Sequence, residues 1–279
     1  LRRQRQMCIR DSSRNGESRY GILDGNKIAV LNGDLFGEHE ESGEVVDLDA
    51  VKLLAPCLPS KIMCAGTNYM SHIIECREKM NLDVSIPEHP LIFSKGPNTI
   101  ADPEQGVIYP TGVNRVDFEG ELGVVIGKRC KKATRENAMD YVLGYTCVND
   151  VSARDMQWSD GQWTRGKGLD TFCPMGPIIT DEIDAFNSRV ITRVNGEVLQ
   201  DGNSNDLIFD IPALIEYISE WITLEAGDVI ATGTPAGVAP VKVGDVIEIG
   251  FGNKTVKVEV TMIADSTKKE DAKEMFRYL

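Results

Sequence analysis

The feature of this sequence that most constrains its fold is the segment 116–126, VDFEGELGVVI. After Glu121 it is a run of apolar and β-branched residues, which predicts a strand buried in the core. Glu119 and Glu121 stand just before this run, so in a strand both carboxylates point to the same face. Adjacent like charges repel and are costly to bury, and a divalent cation relieves both costs because hard cations prefer carboxylate oxygens. A solvated strand end with two unliganded acids is the alternative interpretation.

Composition and charge exclude several classes of protein. The chain has 279 residues, 42% of them hydrophobic and 26% charged, which is typical of a soluble globular protein. Its net charge of −13 argues against nucleic acid or an anionic membrane as the main partner. The seven cysteines are scattered and contain no C-x-x-C pair, which favours reduced thiols in a cytoplasmic protein. No apolar run approaches the ~18–20 residues of a membrane helix.

The N-terminal part of the chain divides into two segments. Residues 1–18 begin with a basic stretch that lacks the apolar region of a secretory signal. A transit peptide is one interpretation, and a disordered or non-native leader is the one we favour. Residues 19–60 contain short apolar runs and the turn dipeptides Asp24-Gly25 and Asn32-Gly33, which predict a small N-terminal β subdomain. A short helix is expected within residues 47–54.

A helix predicted over residues 71–80 carries a candidate catalytic pair. His72 and Glu75 are three positions apart, so they are neighbours on one helical face. Such a pair can activate water, with the carboxylate orienting the imidazole as general base. A surface histidine near a glutamate on a polar helix is the alternative, and spacing alone favours it. The other histidines, His39 in an acidic loop and His89 between prolines, are less well placed.

Further polar residues follow later elements of the chain. Asp150 ends a strand predicted over residues 144–148, where a ligand carboxylate and a turn or helix-cap aspartate are both reasonable interpretations. Residues 158–173 lack apolar periodicity and are predicted as a loop, in which Arg165 and Lys167 are suited to holding an anionic substrate. Solvated loop charges are the alternative interpretation and the commoner case. Helices are predicted over 134–143, 210–222 and 268–279, and Asn195-Gly196 predicts a type I′ hairpin.

The order of these pieces resembles the fumarylacetoacetate hydrolase family over residues 61–260. The resemblance rests on GTNY at 66–69 with His72, DFEGEL at 117–122, GYT at 144–146, NDVSARD at 149–155, RGKGLDTFCPMGP at 165–177 and TGTP at 232–235. It implies an α+β, β-rich fold: a mixed β-roll of the family's C-terminal type over residues 61–279, beside the small N-terminal β subdomain. It also implies a homodimer.

The resemblance assigns roles residue by residue. It implies Mg²⁺ or Mn²⁺ held by three carboxylates, Glu119, Glu121 and Asp150. It implies His72 and Glu75 as the water-activating pair of members that cleave C–C bonds, and Lys167 as the active-site cation. It implies substrate contacts from Tyr69, Gln157, Gly233 and Thr234. The chain departs from the family pattern at Thr67 and at Ser94-Lys95-Gly96, which leaves the substrate's identity open.

The activity implied first is hydrolysis of a C–C bond in an acylpyruvate-type 2,4-dioxo acid through a metal-stabilised enolate. In that mechanism Lys167 stabilises the enolate and His72, oriented by Glu75, activates water. An oxaloacetate-type decarboxylase, or a keto–enol isomerase or tautomerase acting on a 2-oxo diacid, is the alternative that the same enolate chemistry permits. A non-catalytic, metal-binding structural protein is the alternative from another class.

Overall fold

The computed structural model describes residues 7–12, 18–251 and 254–262, and β-strands dominate this part of the chain. The strands are β1 (Met7–Ser12), β2 (Ser18–Asp24), β3 (Lys27–Gly33), β4 (His39–Asp47), β5 (Lys52–Leu54), β6 (Ile62–Gly66), β7 (Leu91–Lys95), β8 (Ile100–Ala101), β9 (Val107–Ile108), β10 (Val116–Asp117), β11 (Gly120–Ile126), β12 (Val142–Asn149), β13 (Ser152–Ala153), β14 (Cys173–Thr180), β15 (Arg189–Val194), β16 (Glu197–Asn203), β17 (Val229–Ala231), β18 (Pro240–Val241), β19 (Val246–Phe251) and β20 (Lys254–Thr261). The α-helices are α1 (Met70–Lys79), α2 (Arg154–Asp160), α3 (Thr164–Lys167) and α4 (Ile211–Trp221).

The strands form three sheets. The largest runs β4-β3-β2-β1-β14-β12-β11-β17-β6-β7, with β5 paired to β1 and β8 to β14. Most of its pairs are antiparallel, but β17–β6 and β8–β14 are parallel, so the sheet is mixed. The second sheet runs β16-β15-β19-β20-β9, and the third runs β13-β10-β18. This architecture confirms the predicted strand-rich α+β fold.

The N-terminal strands belong to the largest sheet. The hairpin β2–β3 forms where short strands and a tight turn are predicted. The acidic segment that contains His39 is not the expected loop, because it forms strand β4, whose backbone pairs with β3. Within the predicted leader, residues 7–12 form the ordered strand β1, whose backbone pairs with β2, β5 and β14. The assignment of residues 1–18 as a leader stays a prediction. The rest of the leader, residues 1–6 and 13–17, lies outside the described residues. The boundary proposed near residue 60 stays a prediction.

Strand β11 lies at the centre of the packing, which explains its continuous apolar sequence. All seven of its residues are buried. Leu122, Val124 and Ile126 on one face pack in a core cluster that includes residues of α4, β19 and β20. Val125 on the opposite face packs in a second cluster, with residues of β6 and β17. A strand that is covered on both faces has no solvent-exposed side. Charged residues at its start are therefore unusual, because they too are removed from water.

Two predicted elements are confirmed with their local signals. The helix predicted over 210–222 is α4, and the Asp210 side chain caps it by accepting a hydrogen bond from Ala213 N at 3.0 Å. The hairpin predicted at Asn195-Gly196 is β15–β16, and φ is 52° and 83° at these two residues, as a type I′ turn requires.

Other local predictions are wrong. The helix predicted over 134–143 is only a 3₁₀ turn, Ala138–Tyr141, and Thr134 N donates to Asn137 Oδ1 at 2.9 Å in the turn before it. The loop predicted over 158–173 contains the end of α2 and all of α3, which are too short to show a helical period. The helix expected within 47–54 is a 3₁₀ turn, Leu48–Ala50, followed by β5. The helix predicted over 268–279 lies outside the described residues.

Candidate active site

Three carboxylates meet where β11 begins and β12 ends. Glu119 directly precedes β11, Glu121 lies in it, and Asp150 directly follows β12. The strands are antiparallel with Gly120 opposite Asn149, so the register brings the start of one to the end of the other. Asp150 N donates to Glu119 O at 2.9 Å, and one carboxylate oxygen from each acid lies within 4.8 Å of the others. The structure thus brings together the three acids predicted as metal ligands.

Glu121 is the member of this cluster that most needs a cation. It is buried, and its pKa is raised well above the usual value by burial first and then by the charges of Asp150 and Glu119. Gly233 N donates to its Oε2 at 2.7 Å, and no ion pair to it exists among the described residues. A buried, oxygen-only donor set of three carboxylates fits a hard divalent cation such as Mg²⁺ or Mn²⁺.

Lys167 in α3 lies against the other two acids. Its Nζ donates to Glu119 Oε2 at 2.9 Å and to Asp150 Oδ2 at 2.6 Å, and it stands 5.0 Å from the centre of the Phe93 ring. Burial lowers the pKa of Lys167, but the charges of Asp150 and Glu119 outweigh burial and the net pKa is raised. The side chain is therefore a buried ammonium ion.

Arg154 and Lys95 complete the charge balance, and the sequence-based site prediction lacks both. Arg154 donates to Glu119 Oε1, to Asp117 Oδ2 at 2.8 Å and to Gln157 Oε1 at 2.7 Å. Burial raises the pKa of Glu119, but Lys167 and Arg154 together outweigh it and hold the net pKa well below the usual range. The available signal for Arg154 is its position in the motif at 149–155.

Lys95 ends β7 with its side chain fully buried. Its Nζ lies 2.8 Å from Asp150 Oδ1, outside hydrogen-bond geometry, and donates to the backbone oxygens of Val151, at 3.1 Å, and Lys167. The available sequence signal is a lysine at the end of an apolar strand. It is weak, because most strand-terminal lysines are solvated.

The pair His72 and Glu75 lies on α1, as predicted, but the two side chains are not hydrogen-bonded. His72 Nδ1 is 3.8 Å from Glu75 Oε2, whereas Glu75 accepts from Lys79 Nζ at 2.8 Å and from Gly237 N at 3.0 Å. The His72 side chain is mostly buried, and burial lowers its pKa more than the nearby Glu119 and Glu75 raise it. The imidazole is thus neutral near pH 7 and able to accept a proton.

The residues predicted to contact substrate surround the carboxylates. Tyr69 is buried, and its hydroxyl has no hydrogen-bond partner among the described residues. Burial first, and then the charges of Glu121 and Asp206, raise the pKa of Tyr69. Gln157 is held by Arg154, and Gly233 by Glu121. The Thr234 hydroxyl donates to Gly120 O at 2.9 Å, so each of the four is tied to the cluster or close to one of its charges.

The chain belongs to the fumarylacetoacetate hydrolase family. Residues 61–262 match the family model described as fumarylacetoacetate (FAA) hydrolase, C-terminal. Residues 12–56 match a model described as Rv2993c-like, N-terminal. These matches confirm the resemblance found in the sequence motifs.

Relatives with more specific names include tautomerases and an isomerase. Oxaloacetate tautomerase YisK of Bacillus subtilis is 48% identical over 197 residues, which are 68% of this chain and 64% of that protein. Oxaloacetate tautomerase fahd2, mitochondrial, of Xenopus laevis is 41% identical over 221 residues, which are 75% of this chain and 67% of that protein. The crystal structure of 2-hydroxyhepta-2,4-diene-1,7-dioate isomerase from Mycobacterium marinum is similar with a TM-score of 0.84 and 38% identity, covering 93% of this chain and all of that one.

Proposed function

We propose that this protein is a divalent-metal-dependent enzyme that interconverts the keto and enol forms of a 2-oxo diacid such as oxaloacetate. The observation that carries the proposal is the buried cluster in which three carboxylates, two lysines and an arginine meet, in a chain whose relatives include named oxaloacetate tautomerases. This proposal places the keto–enol alternative ahead of C–C hydrolysis.

The residues present account for the chemistry of tautomerisation. When bound by Glu119, Glu121 and Asp150, Mg²⁺ or Mn²⁺ would supply Lewis-acid polarisation of the oxo-acid oxygens. Lys167 is a buried ammonium ion, so it stabilises negative charge that develops on the enol oxygen. The neutral imidazole of His72 accepts a proton from the carbon next to the carbonyl, and the enolate oxygen takes up a proton from solvent to give the enol. In the reverse direction the oxygen releases its proton and the imidazolium returns one to the carbon.

Tautomerisation needs no activated water, and this matters for the pair on α1. Hydrolysis requires an imidazole oriented by its carboxylate. Glu75 instead bonds Lys79 and Gly237, and it stands 3.8 Å from His72. His72 can transfer a proton without that orientation. The arrangement of α1 therefore favours proton transfer over water activation.

Local positive charge reconciles an acidic protein with an anionic substrate. The chain carries a net charge of −13. Lys95, Lys167 and Arg154 lie around the carboxylates with their side chains largely buried, where charge is weakly screened. A dianionic oxo acid would thus meet a positive local field once a divalent cation is added.

The direct test follows the decay of enol-oxaloacetate in ultraviolet absorbance. We expect the protein to accelerate the decay with Mg²⁺ or Mn²⁺ and to lose this effect with EDTA. Glu121→Gln should remove most of the acceleration even with metal present. Glu136→Gln, a change at an exposed glutamate, is the control and should keep it. Full activity in EDTA would contradict the metal part of the proposal.

C–C hydrolysis of an acylpyruvate is the second candidate, because α1 carries both residues of the predicted water-activating pair, although they are not hydrogen-bonded. A screen on acetylpyruvate, fumarylpyruvate, oxaloacetate and 2-hydroxyhepta-2,4-dienedioate separates the candidates. Hydrolysis of an acylpyruvate releases pyruvate and a second carboxylic acid, decarboxylation of oxaloacetate releases pyruvate and carbon dioxide, and tautomerisation releases no fragment. If release of pyruvate together with a second acid dominates, Glu75→Gln should suppress it strongly, because water activation needs the carboxylate. Turnover of none of the four would favour the non-catalytic alternative.

Quaternary structure and location complete the proposal. We expect a homodimer in the cytoplasm, as the family resemblance and the reduced cysteines imply. In the described part of the chain, no helix combines the length and apolarity needed to cross a membrane. Light scattering coupled to size-exclusion chromatography measures the mass of the assembly, and a monomeric mass would contradict the dimer.

A further inference from the structure

Gln200 connects the predicted metal ligands to the loop at 232–235. It lies in β16, in the second sheet, and only 1% of it is exposed. Its Oε1 accepts a hydrogen bond from Gly120 N at 2.9 Å. Its Nε2 donates to Thr234 Oγ1 at 2.7 Å and to Pro235 O at 2.9 Å. One amide therefore bonds both the start of β11 and the loop.

Thr234 closes these bonds into a ring around Gly120. Its hydroxyl donates to Gly120 O at 2.9 Å while accepting from Gln200. The N–H of Gly120 is thus held by Gln200 directly, and its carbonyl is held through Thr234. The ring needs an acceptor and a donor on the same side chain, which an amide provides and a carboxylate or an aliphatic group does not.

Close packing leaves this junction little room to move. A Cβ on Gly120 would lie 2.0 Å from Thr192 Oγ1, and a Cβ on Gly202 would lie 2.3 Å from Pro235 Cβ. Both distances are shorter than van der Waals contact, so only glycine at 120 and 202 leaves room for these side-chain atoms. The two sheets and the loop therefore meet at a fixed distance.

We infer that Gln200 is a positioning residue that sets the geometry of the metal centre and of the substrate loop at once. Gly120 lies between Glu119 and Glu121. Because its N–H and its carbonyl are both held in place, the backbone from which the two glutamate side chains extend is fixed as well. The same loop supplies Gly233 N, which donates to Glu121 Oε2 at 2.7 Å. The inference rests on the proposed function, because it assumes that the carboxylates bind a divalent cation.

The test measures Mn²⁺ binding by calorimetry on the full chain, first stripped of metal with EDTA. Gln200→Glu keeps the shape but replaces the donor to Pro235 O with an acceptor, and Gln200→Leu removes all three bonds. Changes in the shell that supports metal ligands weaken metal affinity by roughly 10–100-fold, and we expect both variants in that range. Thr234→Val removes the hydrogen bond to Gly120 O, so it should weaken Mn²⁺ binding without any change at Gln200.

The control is Ser219→Ala, another buried polar residue, which accepts from Ala133 N at 2.9 Å far along the chain from the ligands. It should lower the melting temperature without weakening Mn²⁺ binding. If Thr234 and Gln200 act through one ring, the double variant Gln200→Leu/Thr234→Val loses less affinity than the two single losses combined. Additive losses would contradict a shared ring.

The outcomes separate this inference from the proposed function. If the wild-type protein binds Mn²⁺ and the Gln200 variants bind it equally well, Gln200 has no positioning role although the metal centre stands. If the wild-type protein binds neither Mn²⁺ nor Mg²⁺, the metal centre fails and this inference fails with it. Should Gln200→Leu not fold, Gln200→Glu and Thr234→Val still decide the question.

Discussion

At the scale of single residues, buried lysines support the acids of the site. Lys95 and Lys167 approach opposite oxygens of Asp150, at 2.8 Å and 2.6 Å. Buried charges are costly unless they are paired and hydrogen-bonded, and Asp150 lies deep enough to need both partners. Lys95 also binds two backbone oxygens, so it joins β7 to the segments that carry Asp150 and Lys167. Its contribution is thus both electrostatic and geometric.

We predict that Lys95→Met lowers the free energy of unfolding by about 3–5 kcal/mol, because buried Asp150 loses one of its two counter-charges and the backbone oxygens of Val151 and Lys167 lose a donor. Urea denaturation in EDTA measures the loss. Lys61→Met is the matched control: Lys61 pairs with buried Asp228, but that aspartate keeps hydrogen bonds from Ser60 and Glu225. The control should lose much less, and equal losses would contradict the special role of Lys95.

The protonation of His72 gives a prediction about pH. Burial lowers its pKa in the folded protein below the value of about 6.5 expected for an unfolded chain. Between the folded and unfolded pKa values the unfolded chain therefore binds more protons, and stability falls as the pH falls. The contribution of neutral His72 is complete above pH ~6.5 and is lost below it.

We therefore expect His72→Gln to flatten the decline in unfolding free energy below pH ~6.5, in EDTA-treated protein. Urea denaturation at several pH values measures the slope for both proteins. The imidazole signal that disappears from the NMR spectrum of the variant identifies His72, and it should titrate below pH ~6.5 in the wild type. A midpoint above that value would refute a buried, neutral imidazole.

At the scale of elements, β11 shows how close packing and ligand placement depend on one glycine. A Cβ on Gly120 would lie 2.0 Å from the Thr192 hydroxyl and 3.2 Å from Gln200 Oε1. We predict that Gly120→Ala costs about 1–3 kcal/mol of unfolding free energy, as overpacking typically does, and also weakens Mn²⁺ binding. Thermal unfolding and calorimetry measure the two effects.

Gly37→Ala is the control for that substitution. Gly37 is exposed, and an added Cβ would meet Asp34 at an ordinary distance of 3.6 Å. This variant should match the wild type in both measurements. If Gly120→Ala also matched the wild type, the tight junction at the start of β11 would be contradicted.

Elements with strong local signals could be predicted from the sequence, and the others depend on tertiary contacts. The apolar run of β11, the Asn195-Gly196 turn and the cap at Asp210 each carry their own signal. Helix α3 spans only Thr164–Lys167, which is too short for a helical period to be visible in the sequence. This helix nevertheless places Lys167 in the site. A 3₁₀ turn, Ala138–Tyr141, stands where a longer helix is predicted. Short elements are decided by their surroundings.

The candidate site follows the same division. The acids at 119, 121 and 150 carry a signal in the sequence because they stand at the ends of apolar strands. Lys95 and Gln200 also lie in strands, but nothing in their spacing shows that their side chains turn inward. Their roles emerge only when β7 and β16 are placed against β11 and its loop. The same limit applies to His72 and Glu75, whose separation of 3.8 Å depends on Gly237 and Lys79.

At the scale of the whole molecule, the site lies where separate sheets and short helices meet. The carboxylates predicted to bind metal come from the start of β11 and the end of β12, the cationic side chains from β7, α2 and α3, and the amide of Gln200 from β16. Without a metal this junction holds Glu121 buried with a raised pKa, so the carboxyl is protonated over a wider pH range than usual. A cation must displace that proton, which couples metal binding to pH.

The last prediction follows from this coupling. A ligand present at 100 times its Kd stabilises the folded state by about 2.7 kcal/mol, so Mn²⁺ should raise the melting temperature by roughly 5–10 °C in a chain of this size. The shift should grow as the pH rises, because fewer protons compete for Glu121. Glu121→Gln should abolish the shift, whereas Glu136→Gln, at an exposed position, should keep it. Differential scanning fluorimetry from pH 6 to 8, at fixed Mn²⁺, measures all three proteins. A shift that is independent of pH would mean that Glu121 is already ionised in the metal-free protein, and a shift retained by Glu121→Gln would mean that the cation binds elsewhere.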